Sequence, residues 1–444
     1  MRFILCSLAL LITSVPAFSA QGEVPSELTD YVNKPDDSFS WKVASQTTTD
    51  AGTIYTLDLV SQTWHDIKWD HKLQVYLPKS AKPQATMVLW NQGGTPGITS
   101  GILGLEIASK VNAPVAFLFG VPKQPLYGGK TEDGLIAETF VKYLETKDPS
   151  WPLLFPMVKS IVRGMDAIQA FAKEEWNFNV NSFVIAGASK RGWTTWLTAA
   201  TGDKRVKAIA PLVFDTLNIA VQMKNQITAF DKPSEMIRDY VLRKLVPIPE
   251  TEAAQRLWVI IDPWSYREKI TVPKLIVNGT NDPYWPLDAL NTYWDGLKGD
   301  KWLLYVPNAG HELCERDKEG KPQPLPIRAM NTLAAFSKAQ IFDKSLPKVN
   351  SSALYKPGTE CIDFSVQCST KPREVVVLST SAKSRDFRKS WWDSKNLEVA
   401  GPKMDCKVDV PKTGFSAALL DLEFELEGLK FNLSTPLRIM EPAK

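Results

Sequence analysis

The chain has 444 residues, 44% of them hydrophobic and 23% charged, which excludes a disordered polyelectrolyte and fits a folded protein of about two domains. Lys and Arg number 52 against 49 Asp and Glu, a net charge of +3; that excludes the basic footprint of a nucleic-acid binder and gives no support to an anionic membrane surface as partner. Only three histidines occur, His65, His71 and His311, so chemistry that needs an imidazole has three candidates.

Residues 1–20 place Arg2 ahead of an apolar run at 3–12 and end on small residues around Ala17, Ser19 and Ala20. That layout predicts a cleaved secretory leader, and with it a secreted or periplasmic chain. No later stretch reaches the ~20 apolar residues that an integral membrane span requires. Cys6 falls within the leader. Cys314, Cys361, Cys368 and Cys406 remain, an even number for an oxidising compartment. They permit three pairings, among which the sequence does not choose. The three beyond residue 350 predict a disulfide that staples the C-terminal part, with buried free thiols as the alternative.

Residues 53–60 and 72–77 alternate apolar and polar positions and read as strands, the second ended by Pro78. His65 and His71, in Trp64-His65-Asp66-Ile67-Lys68-Trp69-Asp70-His71, are expected to decorate a hairpin. From residue 85 the texture changes to continuous apolar runs at 85–90, 113–119, 182–186, 206–213, 274–277 and 302–306, separated by helix-length segments such as 157–173. Strands apolar on both faces belong inside a mostly parallel sheet covered by helices, so residues 21–346 are expected to form an α/β domain. Amphipathic stretches broken by Pro247, Pro249 and Pro263 predict a helical cap inserted at about residues 217–270. Short alternating strands over 347–444, as at 374–379 and 420–426, predict a small C-terminal β-sandwich.

The run 182–186 leads into Gly187-Ala188-Ser189-Lys190-Arg191-Gly192 and a helix-like Trp193-Thr194-Thr195-Trp196-Leu197. A serine among small residues at a strand-to-helix turn is the pattern of a nucleophile elbow, although Arg191 stands where G-x-S-x-G has its second glycine. The backbone N–H of Lys190 would then face a developing oxyanion. Asp282 follows the run 274–277 in Asn278-Gly279-Thr280-Asn281-Asp282-Pro283, and His311 follows the run 302–306. The order Ser189, Asp282, His311 is that of the α/β-hydrolases, each residue at the carboxyl edge of a core strand. Asp215, after the run 206–213, competes for the role of the acid. Asn91-Gln92-Gly93-Gly94-Thr95-Pro96-Gly97 offers a glycine-rich oxyanion loop, with the N–H of Gly93 or Gly94 as donor. Trp193, Trp285 and Trp64 are candidates for lining an aromatic cleft, and Lys190 with Arg191 favours an acidic substrate. His311-Glu312-Leu313-Cys314-Glu315 lacks the second histidine of a zinc-protease helix, and no phosphate loop or dinucleotide fingerprint occurs. No metal or cofactor is therefore expected.

Taken with Tyr31-Val32, Asp36, Trp90-Asn91-Gln92-Gly93-Gly94, Tyr284-Trp285, Gly310-His311 and Arg385-Asp386-Phe387, these motifs resemble the PhoPQ-activated pathogenicity-related proteins over most of the mature chain. The resemblance implies an exported α/β-hydrolase-like protein tied to envelope stress, virulence and resistance to antimicrobial peptides, with Ser189, Asp282 and His311 as its serine-hydrolase residues. The expected function is cleavage of an ester or amide bond in a small-molecule, lipid or peptide substrate. The alternatives are a dipeptidyl-peptidase-like serine peptidase and a non-catalytic binding or signalling protein on the same frame.

Overall fold

The computed structural model describes residues 23–354 and 360–441; the expected leader, Cys6 included, lies outside the described residues. A short helix, α1 (Glu27–Asn33), precedes a meander of β1 (Ser40–Thr48), β2 (Gly52–Trp64) and β3 (Ile67–Pro78). His65 and Asp66 join β2 to β3 with φ of 45° and 63°, a two-residue turn whose twist matches that of the strands it joins. Tyr55, Leu57 and Leu59 recur every second residue and are buried, so the alternation is the core face of a sheet.

The chain continues through β4 (Thr86–Asn91), α2 (Ile98–Val111), β5 (Val115–Leu118), α3 (Glu132–Thr146), α4 (Leu154–Trp176), β6 (Ser182–Ala188), α5 (Lys190–Ala200) and β7 (Val206–Leu212). Three helices follow, α6 (Ile219–Phe230), α7 (Arg238–Leu242) and α8 (Glu252–Ile261), then β8 (Lys274–Gly279), β9 (Lys301–Val306) and α9 (Ile327–Ile341). The nine strands form one sheet in the order β1-β2-β3-β5-β4-β6-β7-β8-β9. Pairing is antiparallel from β1 to β5 and parallel from there to β9. This is the sheet of an α/β-hydrolase. Phe183, Val184, Ile185 and Ala186 of β6 are fully buried. Such side chains contribute about 1.5–3 kcal/mol each for the larger ones, which is why the runs apolar on both faces became the sheet centre. β4 has β5 on one side and β6 on the other, so successive connections diverge there and a crevice opens beyond its carboxyl end.

Beyond residue 347 lie β10 (Val349–Leu354), β11 (Cys361–Cys368), β12 (Glu374–Ala382), β13 (Asp393–Leu397), β14 (Lys403–Asp409), β15 (Phe415–Leu426), β16 (Leu429–Ser434) and β17 (Arg438–Met440). They make two antiparallel sheets, β10-β11-β14 and β13-β12-β15-β16, with β17 paired to β15. Ile362, Phe364 and Val366 from one sheet and Leu420, Leu422 and Phe424 from the other are buried in one apolar cluster. This part abuts the α/β sheet: Ser434 Oγ accepts the Tyr305 N–H of β9 at 2.9 Å, and Arg328 of α9 pairs with the buried Asp421 at 3.1 Å.

The expected disulfide staple is absent: none forms among the described residues. Strand geometry explains this. Cys406 on β14 faces Phe364 on β11. Cys361 is three residues from that position and points to the opposite face, while Cys368 is four residues along it, about 13 Å away, beyond the reach of a disulfide. Among the described residues no helix is long and apolar enough to cross a membrane.

Candidate active site

Ser189 joins β6 to α5 with φ 59° and ψ −126°, a conformation that costs a non-glycine residue about 1–3 kcal/mol. Packing on both sides holds it there. A Cβ on Gly187 would stand 2.3 Å from Asn91 Nδ2, and one on Gly192 would stand 2.8 Å from the Leu212 carbonyl oxygen, so these two positions must be glycine for β6 and α5 to approach so closely. The Ser189 N–H donates to the Leu212 carbonyl at 2.8 Å, and its own carbonyl accepts the Trp193 N–H at 3.0 Å. Lys190, Arg191 and Gly192 therefore carry the leading N–H groups of α5, which have no acceptor within the helix.

Asp282 and His311 leave the carboxyl ends of β8 and β9. His311 Nδ1 lies 2.7 Å from Asp282 Oδ2, and Nε2 lies 2.8 Å from Ser189 Oγ. Asp282 is buried, and its second oxygen accepts the Tyr284 N–H at 2.9 Å. An ionised carboxylate can only accept, so the ring proton resides on Nδ1 and Nε2 faces the serine hydroxyl as an acceptor. The Tyr284 ring packs on the imidazole with centroids 4.2 Å apart and fixes its plane.

Asp215 is engaged elsewhere, accepting the Tyr293 hydroxyl at 2.6 Å. Burial, reinforced by the charge of Asp282 and opposed by the Tyr293 hydrogen bond, pushes its carboxyl up to about 8 from the ordinary 3.8. Between those values the folded chain holds a proton that the unfolded chain has lost, so this residue lowers stability as pH rises from about 4 to about 8. Asp215→Asn removes the dependence. The melting temperature of the variant relative to wild type should be higher at pH 8 than at pH 5, and a difference that does not change with pH would contradict the assignment.

The expectation that Lys190 and Arg191 offer positive charge to an acidic substrate is corrected here. Arg191 donates from Nε to the Val121 carbonyl at 2.6 Å and from its two terminal nitrogens to both oxygens of Glu132 at 2.6 and 2.7 Å. Lys190 Nζ lies 3.2 Å from Glu132 and 3.1 Å from Asp133. Two cations thus meet two carboxylates. Burial alone would raise the Glu132 carboxyl, but the hydrogen bond and charge of Arg191 hold it at about 2. Arg191 is a brace, and it runs beneath the glycine-rich loop after β4: a Cβ on Gly93 would stand 2.2 Å from its Nη2. The Gln92 N–H donates to Leu118 at 2.8 Å and the Gln92 carbonyl accepts the Val121 N–H at 3.0 Å, tying this loop to the end of β5. Gly94 follows with φ +66°, a left-handed conformation that glycine adopts without strain.

Ser189 and Lys190 border a cavity of about 50 Å³. Trp193, Phe214, Tyr240, Trp258, Tyr284 and Trp285 supply aromatic walls. Ile219, Met223, Ile237 and Val246, from the segment between β7 and β8, supply aliphatic ones. Trp193 stacks on Phe214 with centroids 5.0 Å apart and donates from Nε1 to the Ile261 carbonyl at 2.6 Å. Trp64 is not part of this cleft. It is buried at the hairpin end, donating to the Ser150 carbonyl at 2.8 Å and packing edge-on against Trp151. His65 stacks on Trp151 at 3.8 Å. His71 is buried between Ser61 Oγ at 2.9 Å and the Phe119 carbonyl at 3.1 Å, and burial lowers it to about 4, so it stays neutral. Among the described residues no group of three or more His, Cys, Asp or Glu side chains is arranged to hold a metal.

The motif Arg385-Asp386-Phe387 opens a loop whose contacts are not visible in local sequence. The loop 385–392 of the C-terminal part reaches back to the loops that carry Asp282 and His311. Asn281 Nδ2 donates to the Ser390 and Phe387 carbonyls at 2.7 and 3.2 Å. Asn308 exchanges two hydrogen bonds with the Trp392 backbone at 2.7 and 2.9 Å, and Arg385 pairs with Asp288 at 2.7 Å. Glu132, more than fifty residues upstream of the arginine it neutralises, was equally invisible, since nothing local in its segment points to Arg191.

The chain is 34% identical over 304 residues to autocrine proliferation repressor protein A of Dictyostelium discoideum, a match covering 64% of this chain and 61% of that relative, so less than two thirds of the relative is spanned. Among solved structures it is similar to an acetyl xylan esterase from Paenibacillus sp. R4, with 14% identity, TM-score 0.45, and coverage of 65% of this chain and 87% of that one. It is also similar to an S-formylglutathione hydrolase from Agrobacterium tumefaciens, with 13% identity, TM-score 0.45, and coverage of 68% and 99%. The family model for PhoPQ-activated pathogenicity-related protein matches residues 28–388. That span takes in the serine turn, the glycine-rich loop, the Asp282 and His311 loops and the start of the returning strap, and the chain belongs to this family.

Proposed function

We propose that this chain is an exported serine hydrolase that cleaves an ester or amide bond through Ser189, His311 and Asp282. The reading rests on one observation, the continuous hydrogen-bond line from Ser189 Oγ through both ring nitrogens of His311 to Asp282. Ser189 Oγ attacks the substrate carbonyl carbon while its proton passes to His311 Nε2. The oxyanion that forms is held by the N–H of Lys190 and that of Gly93 or Gly94, each such donor being worth about 3 kcal/mol in the transition state. Collapse breaks the bond to the leaving group, which takes the proton from Nε2. Water then repeats the sequence on the acyl-enzyme, releasing the acid and restoring the serine. Asp282 keeps the imidazole in the required tautomer and stabilises the imidazolium.

A peptidase that releases short N-terminal units would need a carboxylate free to hold an ammonium group. Asp133, on the cavity wall, and its neighbour Glu132 are engaged by Lys190 and Arg191, which favours a neutral ester substrate. The layout of residues 1–20 supports export, and the family description, PhoPQ-activated and pathogenicity-related, supports a link to virulence. A purely binding role would leave the Ser189–His311–Asp282 line without chemical work. The test is turnover of p-nitrophenyl acetate, present in wild type and lost in Ser189→Ala; turnover equal in both would overturn the proposal.

A further inference from the structure

Asp282 and His311 stand on the loops that follow β8 and β9, and the two loops touch. The Asn281 N–H donates to the Ala309 carbonyl at 2.9 Å, and the Asn308 N–H donates to Thr280 Oγ1 at 2.9 Å. A Cβ on Gly279 would stand 2.4 and 2.5 Å from the carbonyl oxygens of Ala309 and Gly310, so a shift in either loop is passed to the other. The Thr280 hydroxyl donates to Asn281 Oδ1 at 2.8 Å. With that oxygen engaged, Asn281 Nδ2 is directed at the Ser390 and Phe387 carbonyls, 2.7 and 3.2 Å away. Asn308 has φ 52°, a left-handed conformation that asparagine tolerates. Its side-chain amide accepts the Trp392 N–H at 2.7 Å and donates to the Trp392 carbonyl at 2.9 Å. One hydrogen-bonded network thus joins the strap 385–392 to the residue before Asp282 and to the loop of His311.

The strap is itself anchored. Phe387 and Trp392 are buried in the core cluster that also holds Tyr293 and Tyr305 of the α/β part. Thr380 Oγ1 of β12 donates to the Trp391 carbonyl at 2.6 Å. Arg388 lies over the Phe230 ring at the end of α6, 3.9 Å from its centre, and pairs with Glu235 at 3.2 Å. The segment between β7 and β8 holds the Asp282 loop as well: Ser234 Oγ donates to the Pro283 carbonyl at 2.7 Å and Gln226 Nε2 to the Tyr284 carbonyl at 3.1 Å. Proton transfer from Ser189 works only while its Oγ, His311 and Asp282 stay within hydrogen-bond reach, and a misplacement of about 1 Å can cost about 10²-fold in rate. Resting on the hydrolase reading, we propose that Asn281 and Asn308 are positioning residues, through which the strap from the C-terminal part sets Asp282 and His311 against Ser189. The C-terminal β part is on this account a working component of the active site, and turnover depends on its being docked.

Asn308→Gly and Asn281→Ala in the full chain test this. Glycine keeps the left-handed backbone at position 308 without strain, so that variant loses the two bonds to Trp392 and little else. Turnover of p-nitrophenyl acetate is divided by the fraction of chains that a fluorophosphonate labels at completion, which removes unfolded molecules from the count. In each variant kcat per labelled chain should fall by about 10–100-fold, with KM within about threefold of wild type. A merely structural role would lower the labelled fraction and leave kcat per labelled chain unchanged. Arg373→Ala is the control on the same C-terminal sheet; it removes an exposed pair with Glu425 at 2.6 Å and should keep the wild-type kcat. Wild-type kcat per labelled chain in both asparagine variants, or a loss carried by KM alone, would overturn the positioning role while leaving the hydrolase reading intact. A wild-type chain that neither turns over the ester nor is labelled at Ser189 would overturn both.

Discussion

Ser189→Ala is expected to lower kcat for ester hydrolysis by about 10⁶-fold. His311→Ala should cost a similar amount, and Asp282→Asn about 10⁴-fold. The losses are not additive. Oγ and Nε2 act in one step, so once either is removed the other has nothing to transfer a proton to or from, and the double variant should be no slower than the worse single one. What remains is the contribution of the oxyanion donors and of substrate binding. The fold should be unaffected: the described side-chain bond of Ser189 is to His311, and alanine keeps the Cβ at φ 59°, so the melting temperature should stay close to that of wild type. Independent, multiplying losses, or a variant that loses activity only because it unfolds, would contradict the shared role.

Gly93→Ala is expected to lower kcat by about 10²–10³-fold with a much smaller change in KM. The added Cβ would stand 2.2 Å from Arg191 Nη2 and 2.8 Å from its Cζ. A guanidinium on a loose side chain would swing aside. This one is held by the Val121 carbonyl and both oxygens of Glu132, all within 2.7 Å, and the glycine-rich loop is the part that must move. Its N–H groups then leave the place where the oxyanion develops, and a donor displaced by even 1 Å loses most of its effect. Gly97→Ala is the matched control, since a Cβ there meets nothing within 4 Å and its φ of −148° suits any residue. Full kcat in Gly93→Ala would show that this loop is not part of the oxyanion site.

The strands apolar on both faces and the chain order of Ser189, Asp282 and His311 were legible because each rests on local pattern: a run of apolar residues, a small-residue turn, a polar residue just past a strand. The choice of Asp282 over Asp215 was not. Both follow core strands; what separates them is that Asp215 is engaged by the Tyr293 hydroxyl and that burial pushes its carboxyl up, while Asp282 lies against His311. The charges of Lys190 and Arg191 were misread for the same reason. Their partners, Glu132 and Asp133, stand more than fifty residues away, and local sequence carries no trace of such pairing. The cysteine count suggested a staple, but pairing depends on which face of a strand a residue occupies, and register is a property of two strands. The strap through Asn281 and Asn308 likewise joins segments about a hundred residues apart.

The most direct measurement of the central claim is the site of covalent labelling by a fluorophosphonate, read by mass spectrometry of the digested protein. Such probes phosphonylate a serine only where a base withdraws its proton and donors hold the resulting oxyanion. A single stoichiometric adduct is expected on the peptide containing Ser189, absent from Ser189→Ala and strongly slowed in His311→Ala. An unlabelled wild type, or an adduct on another residue that persists in Ser189→Ala, would contradict it.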